Sequence, residues 1–287
     1  MEASIKVKSF AKTKKLKAVI ISAIIIILML IFAFPIILAV LTSLKTQAEL
    51  SRSVFSLPGS FAFENYAEAI KKSNFTRSLL NSCIVTFPSV VLIVLCASMG
   101  GYTIARHSRT NRAFRVLDKL YLASLMLPFQ ILMIPVYKIF KTLKLQNSLF
   151  GMILILTGMS IAYASFLYVG FVKSIPKELE EAALIDGCGP YRAFYKIVFP
   201  LLSPITTTVA ALHVMWLWND FNIALILLQK EEVRTLTIKQ YYFFGEHTTE
   251  FGMAFAASIM CMLPVLVFFV IAQKYLIEGI TSGAVKN

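Results

Sequence analysis

Two groups of residues in this chain have the types and spacing to do chemistry. The first lies between Pro176 and Pro200, PKELEEAALIDGCGPYRAFYKIVFP, with four carboxylates (Glu178, Glu180, Glu181, Asp186). Lys173, Lys177, Arg192 and Lys196 stand among or beside them. The second lies in the apolar run ALHVMWLWNDFNIALILL, where His213, Trp216, Asn219 and Asp220 fall close together. An ionised aspartate at the centre of a bilayer costs at least about 2.5 kcal/mol, so Asp220 must face protein or water. Aromatic faces beside amide and carboxylate groups suit a polar, uncharged solute: rings stack on C–H surfaces and fixed polar groups hold hydroxyls. The competing reading is structural, since Trp anchors at membrane interfaces and His or Asn bridges helices. Helical spacing puts His213, Trp216 and Asp220 on one face, with Asn219 at its margin. No catalytic set accompanies these groups. The sequence has no GxxxxGK[ST], HExxH or GxSxG pattern, and His107, His213 and His247 are too scattered for a metal site.

The elements that must position these groups are membrane spans. The chain has 287 residues, is 58% hydrophobic and only 15% charged. A water-soluble core of this size cannot hide so much apolar surface. Cys83, Cys96, Cys188 and Cys261 show no metal spacing and no disulfide framework. A lysine-rich tail (1–17) precedes a first span, Ala18–Leu44, too long for a signal-peptide apolar region. The polar stretch Lys45–Ser78 contains a short amphipathic helix marked by Phe63, Tyr66 and Ile70 and ending near Phe75. Further spans are expected at Leu79–Ala105, Leu120–Phe140, Ser148–Val172, Val198–Leu228 and Phe251–Ala272, followed by a tail, 273–287. Pro128 and Pro135 interrupt the third.

Six spans put both termini on one side. Lys and Arg number 17 on that side against 11 on the other. The positive-inside rule therefore puts the termini and the 176–200 loop in the cytoplasm. This topology accounts for the net charge of +13 without nucleic acid. The Arg106–Lys119 cluster reads as a loop obeying the same rule and drawn to anionic lipid. On the opposite side, Tyr241, Tyr242, Phe243 and Phe244 are open to two readings, a docking surface or an aromatic belt.

Within 176–200, Pro176 suits a helix start and the glutamates favour its first turns. Gly187, Gly189 and Pro190 break the helix, and Tyr191–Val198 starts a second that ends at the Pro-marked entry to the next span. The result is a compact knob on a polar loop. The order Glu181-Ala182-Ala183, Gly187, Ile197, Pro200 resembles the EAA loop of ABC importer permeases, with Phe199 where that family usually has Leu. WNDF (218–221), FENY (63–66), Asn81-Ser82 and the tail GITSGAVKN resemble the carbohydrate branch, in particular the second permease of maltose-type importers. The tail there usually ends Lys-Gly, against Lys286-Asn287 here.

The resemblance implies an all-α, type I ABC importer permease fold in a bacterial cytoplasmic membrane, with a core over 75–272. It implies that Glu181, Ala182, Ala183, Asp186, Gly187, Ile197 and Pro200 meet an ATPase. It implies a second permease, two ATP-binding subunits holding ATP and magnesium, and an extracellular solute-binding protein, with no cofactor and no enzymatic activity in this chain. Two other readings remain: an ABC permease for another solute class, and a secondary carrier needing no ATPase, although no internal repeat marks one.

Overall fold

The computed structural model describes residues 2–246 and 250–284. Of the positions singled out above, His247 and the last three residues of the tail lie outside them. Every regular element described is helical. The helices are α1 (Glu2–Ser43), α2 (Gln47–Arg52), α3 (Glu64–Ser73), α4 (Phe75–His107), α5 (Arg112–Ser124), α6 (Phe129–Thr142) and α7 (Leu149–Val172). There follow α8 (Glu178–Ile185), α9 (Pro190–Leu201), α10 (Ser203–Trp218), α11 (Asn222–Leu227), α12 (Leu236–Glu246) and α13 (Phe251–Ala284). Four helical stretches are long and apolar enough to cross a bilayer: Lys17–Ser43, Phe75–His107, Leu149–Val172 and Phe251–Lys274. The number rises to six if the bent pairs α5–α6 and α9–α10 are each one span.

The chain divides into two units. The first takes in residues 1–71 and 246–259. Here the spanning part of α1 lies almost wholly bare along its apolar length. The polar stretch after α1 folds around a fully buried Lys45, whose ammonium donates to the Val54 carbonyl at 2.7 Å. A capping box between Thr46 and Glu49 starts α2.

The second unit, residues 72–245 and 260–287, contains both groups of candidate residues. Its most extensive helix contact is α4 against α7, and α10 packs on both. Val85, Ile93 and Ala97 of α4 meet Met152, Leu156 and Tyr168 of α7 and Val209 and Val214 of α10 in one apolar core. Gly101 allows the close approach: a Cβ there would stand 2.6 Å from Tyr168 Cβ and 3.0 Å from the Ser165 carbonyl oxygen.

Two expected spans are not single helices. The stretch read as Leu120–Phe140 is the joint of α5 and α6, which bend by 107° around residues 125–128. Pro128 is the physical cause, because it has no N–H to continue the helix and stands extended as the N-cap of α6. The stretch read as Val198–Leu228 is broken twice. α9 and α10 meet at 75°, and α10 stops at Trp218, before α11 begins at Asn222.

Candidate functional site

The 176–200 loop forms the knob that its residues predict, with shifted boundaries. Its first helix begins at Glu178 rather than Pro176, with Glu178, Glu180 and Glu181 in the first turn. There the helix dipole favours negative charge. Asp186 closes α8. Gly187 then turns the chain with a φ of 79°, and the N–H groups of Gly187 and Cys188 bond back to Leu184 and Ala183. A left-handed residue at this place is the usual helix stop, and glycine takes it without strain. Pro190 opens α9 at its first position. The second helix does not end at Pro200. It passes through a π turn at Phe194–Val198 and runs to Leu201. Pro200 cannot donate an i→i−4 bond, and the widened turn just before it absorbs the defect.

The knob has a held side and a bare side. Ala183 is buried, whereas Glu181, Ala182, Asp186 and Gly187 are exposed. Ile197 is half-buried and Pro200 exposed. Ile185 is 86% exposed and Tyr191 72%, with Leu179 and Leu184 also bare. Leu184 and Tyr191 border a cavity beside α4, whereas Ile185 and Leu179 do not line it.

The held side uses residues that sequence reasoning missed. Glu180, one position before the motif glutamate, turns back to α4. Its Oε1 accepts from Arg106 Nε at 2.9 Å and forms an ion pair with Nη2 of the same guanidinium. Its Oε2 accepts from the Tyr102 hydroxyl at 2.8 Å. Arg106 Nη2 also donates to the Ile175 carbonyl at 3.0 Å. The charge rule alone therefore does not account for Arg106. Phe194 stacks against Tyr102 at 5.1 Å, and the Tyr195 hydroxyl reaches the Met99 sulfur at 3.3 Å. A cavity of about 500 Å³ opens between α4, α8 and α9. The available signal was the spacing Met99, Tyr102, Arg106, one helix stripe that ends among basic residues.

The intramembrane group is only partly gathered. His213 and Trp216 do meet, with ring centroids 5.5 Å apart, and Tyr163 of α7 joins them at 5.0 Å from Trp216. His213 is fully buried, its Nδ1 is 2.7 Å from the Val209 carbonyl, and its Nε2 has no hydrogen-bond partner among the described residues. Trp216 is half-exposed and Asn219 exposed. Asp220 is placed differently from the helical-face expectation, because α10 has ended by then. Its carboxylate accepts from the Ala224 N–H at 3.0 Å and its carbonyl from the Thr237 hydroxyl at 2.8 Å. Short polar side chains commonly satisfy the first N–H groups of a helix in this way. Asn219 bonds back to the Met215 carbonyl at 2.8 Å. In the aromatic stretch beyond, Tyr241 is exposed and packs on Phe221 at 5.1 Å, and Arg234 lies 3.7 Å over the Tyr242 ring. Among the described residues, no group of three or more His, Cys, Asp or Glu could hold a metal ion.

An all-helical bundle of apolar spans carrying a projecting helix–turn–helix defines a class of membrane transport subunit, and comparison with known proteins agrees. The family of binding-protein-dependent transport system inner membrane components matches residues 89–282. The chain belongs to this family, whose members are transport subunits of the inner membrane and not enzymes. It is 35% identical over 263 residues to the probable starch degradation products transport system permease protein AmyC of Thermoanaerobacterium thermosulfurigenes, covering 91% of this chain and 94% of that one. It is 36% identical over 278 residues to the melibiose/raffinose/stachyose import permease protein MelC of Bacillus subtilis, covering 96% and 99%. A crystal structure of a bacterial ABC transporter involved in import of the acidic polysaccharide alginate has a chain of the same fold. Its TM-score is 0.79 at 23% identity, over 92% of this chain and 97% of that one.

Proposed function

We propose that this chain is one permease half of an ATP-driven importer for a sugar or oligosaccharide. The half-site would be completed by a second, different permease. Two ATP-binding subunits carry the ATP and magnesium, and an extracellular solute-binding protein delivers the sugar. Both termini and the 176–200 loop stand on the cytoplasmic side, following the Lys and Arg bias. Glu181, Ala182, Ala183, Asp186, Gly187, Ile197 and Pro200 serve the contact with an ATP-binding subunit. The observation that carries this reading is the bare tip of the knob. Side chains as exposed as Ile185 and Tyr191 on a short helix pair need a protein groove to cover them.

The sugar assignment draws on the sugars for which the relatives are named and on one feature of the chain. Half-exposed Trp216, backed by Tyr163 and buried His213, offers a ring face to a polar, uncharged solute. Trp216 and Asn219 line the path, and His213 packs behind Trp216. Asp220 supports it by fixing the start of α11.

The test uses inside-out control and uptake together. Vesicles carrying the whole transporter are given ATP and labelled raffinose or maltodextrins. Glu181→Lys or Gly187→Glu abolishes ATP-dependent uptake while the chain still inserts. Trp216→Ala lowers uptake and leaves co-purification of the ATP-binding subunits intact. Wild-type uptake in all three variants would refute the assignment. External labelling of a cysteine placed at Glu181 in intact cells would refute the orientation.

A further inference from the structure

We infer that Arg106, Tyr102 and Glu180 form a latch that makes the knob and α4 move as one body. This rests on the proposed coupling role of the loop and adds positioning residues to it. Adjacent glutamates divide the work. Glu181 is exposed at the rim of the cavity beside α4, whereas Glu180 is drawn in against α4. The Arg106 and Glu180 side chains are only 8% and 11% exposed. Both carboxylate oxygens of Glu180 are occupied, one by the guanidinium and one by the Tyr102 hydroxyl. The guanidinium spans the root of the loop, holding Glu180 on α8 and the Ile175 carbonyl just after α7. A planar fork with fixed donors holds two such points in register, which the rotatable ammonium of a lysine does less rigidly.

The same stripe of α4 grips the second helix of the knob. Tyr102 packs on Phe194 at 5.1 Å, and Met99 receives the Tyr195 hydroxyl. Both halves of the knob are therefore tied to the last turns of α4 and not merely joined to it through the chain. Above this point α4 is keyed to α7 at Gly101, where there is no room for a Cβ. A displacement of the exposed tip is thus handed to α4 and α7 through directional bonds between largely buried side chains. Such bonds are stiff, because loss of one partner leaves a buried charge unpaired. A knob attached only by flexible loop ends would move without moving the spans.

The experiment uses the complete transporter, purified from its host membrane through a tag on this chain and reconstituted with its binding protein. Spin labels at Glu178 and Phe87, both exposed and outside the proposed contact with the ATP-binding subunit, report the distance from knob to α4. In the wild-type complex that distance is the same with and without ATP and vanadate. With Glu180→Gln or Arg106→Lys the distance distribution broadens and shifts with nucleotide. Raffinose or maltodextrin imported per ATP hydrolysed falls by roughly tenfold, while the ATP-binding subunits still co-purify. The exchanged pair Arg106→Glu with Glu180→Arg restores part of that ratio. If a charge variant fails to insert, Tyr102→Phe carries the test, since it removes one hydrogen bond and no charge. An unchanged distance and ratio in the single variants overturns the latch. So does a wild-type distance that changes with nucleotide, or loss of subunit binding in proportion to uptake. Failure of the wild-type complex to retain any ATP-binding subunit would instead refute the proposed function, so the two failures are separable.

Discussion

The two ends of α4 are fastened in different ways. At its C-terminal end Tyr102 and Arg106 bind a side chain, the largely buried Glu180 carboxylate. At its N-terminal end Arg77, Asn81 and Ser82 bind main chain. Arg77 Nε donates to the Glu232 carbonyl at 2.9 Å, and Asn81 Nδ2 to the carbonyls of Glu232 and Arg234 at 3.0 Å each. The Ser82 hydroxyl accepts from the Leu236 N–H at 2.9 Å. Main-chain fastening fixes the course of a segment whatever side chains it carries. Side-chain fastening through charge fixes one partner, and a single substitution can cut it. The first suits a part that stays in place, the second a part through which force must pass in register.

The comparison can be broken most severely at the middle of the helix. Gly101→Leu puts atoms where the Tyr168 Cβ and the Ser165 carbonyl already stand, so α4 and α7 must separate. Overpacking usually costs about 1–3 kcal/mol, and a backbone neighbour that cannot yield puts this variant at or above that range. The expected readout is loss of monodisperse protein in mild detergent. Next comes Arg106→Ala, which leaves the Glu180 carboxylate unpaired; the adjoining cavity admits water, so the cost lies at or below the lower end of the about 3–5 kcal/mol of a sealed buried pair. Thermal unfolding in detergent should show a lower Tm, with Arg106→Lys losing less. The N-terminal fastening is weaker per residue. Asn81→Ala removes the donor from two carbonyls and should cost about 1–3 kcal/mol, measured in the same way. If Asn81→Ala proved more damaging than Arg106→Ala, the contrast between the two ends would be inverted.

The smallest effect is one of pH. Lys239 holds the Glu231 carboxyl below its ordinary value of 4.5 by a hydrogen bond and by charge. A depressed carboxylate contributes stability above its ordinary pKa and loses it as pH falls through the lowered one. Acidification from above the ordinary carboxylate value of 4.5 to below the depressed one should therefore loosen the 231–239 stretch. Hydrogen exchange at the amides of that stretch should rise over this window, and Lys239→Met should remove the step. Glu231 is more than half exposed, so the change is slight beside that of Arg106→Ala.

Much of the fold was readable because hydropathy is a local property. Runs such as Leu149–Val172 have nowhere to go but a bilayer, and α4, α7 and α13 follow the apolar stretches closely. The knob was readable for a related reason: Glu-rich first turns, Gly187 and Pro190 each act within a few residues of themselves. Reading Val198–Leu228 as one helix failed where a polar residue had two options. Asp220 could extend a helical face or cap a new helix, and periodicity cannot distinguish these. The joint at 125–128 was marked by Pro128, but a kink and a bend of 107° have the same sequence signature.

Taken alone, the order of residues determined that the chain is a membrane helix bundle with a polar knob between two apolar stretches. It also determined which positions of the knob turn and which continue. Tertiary structure alone decided which glutamate faces inward, which arginine receives it, and that Asp220 caps a helix while Tyr163 meets Trp216. The reason is distance along the chain. Turns and spans arise from neighbours within a few residues. The choice of partner for Glu180 depends on an α4 residue more than seventy positions away, brought close only by packing against α7.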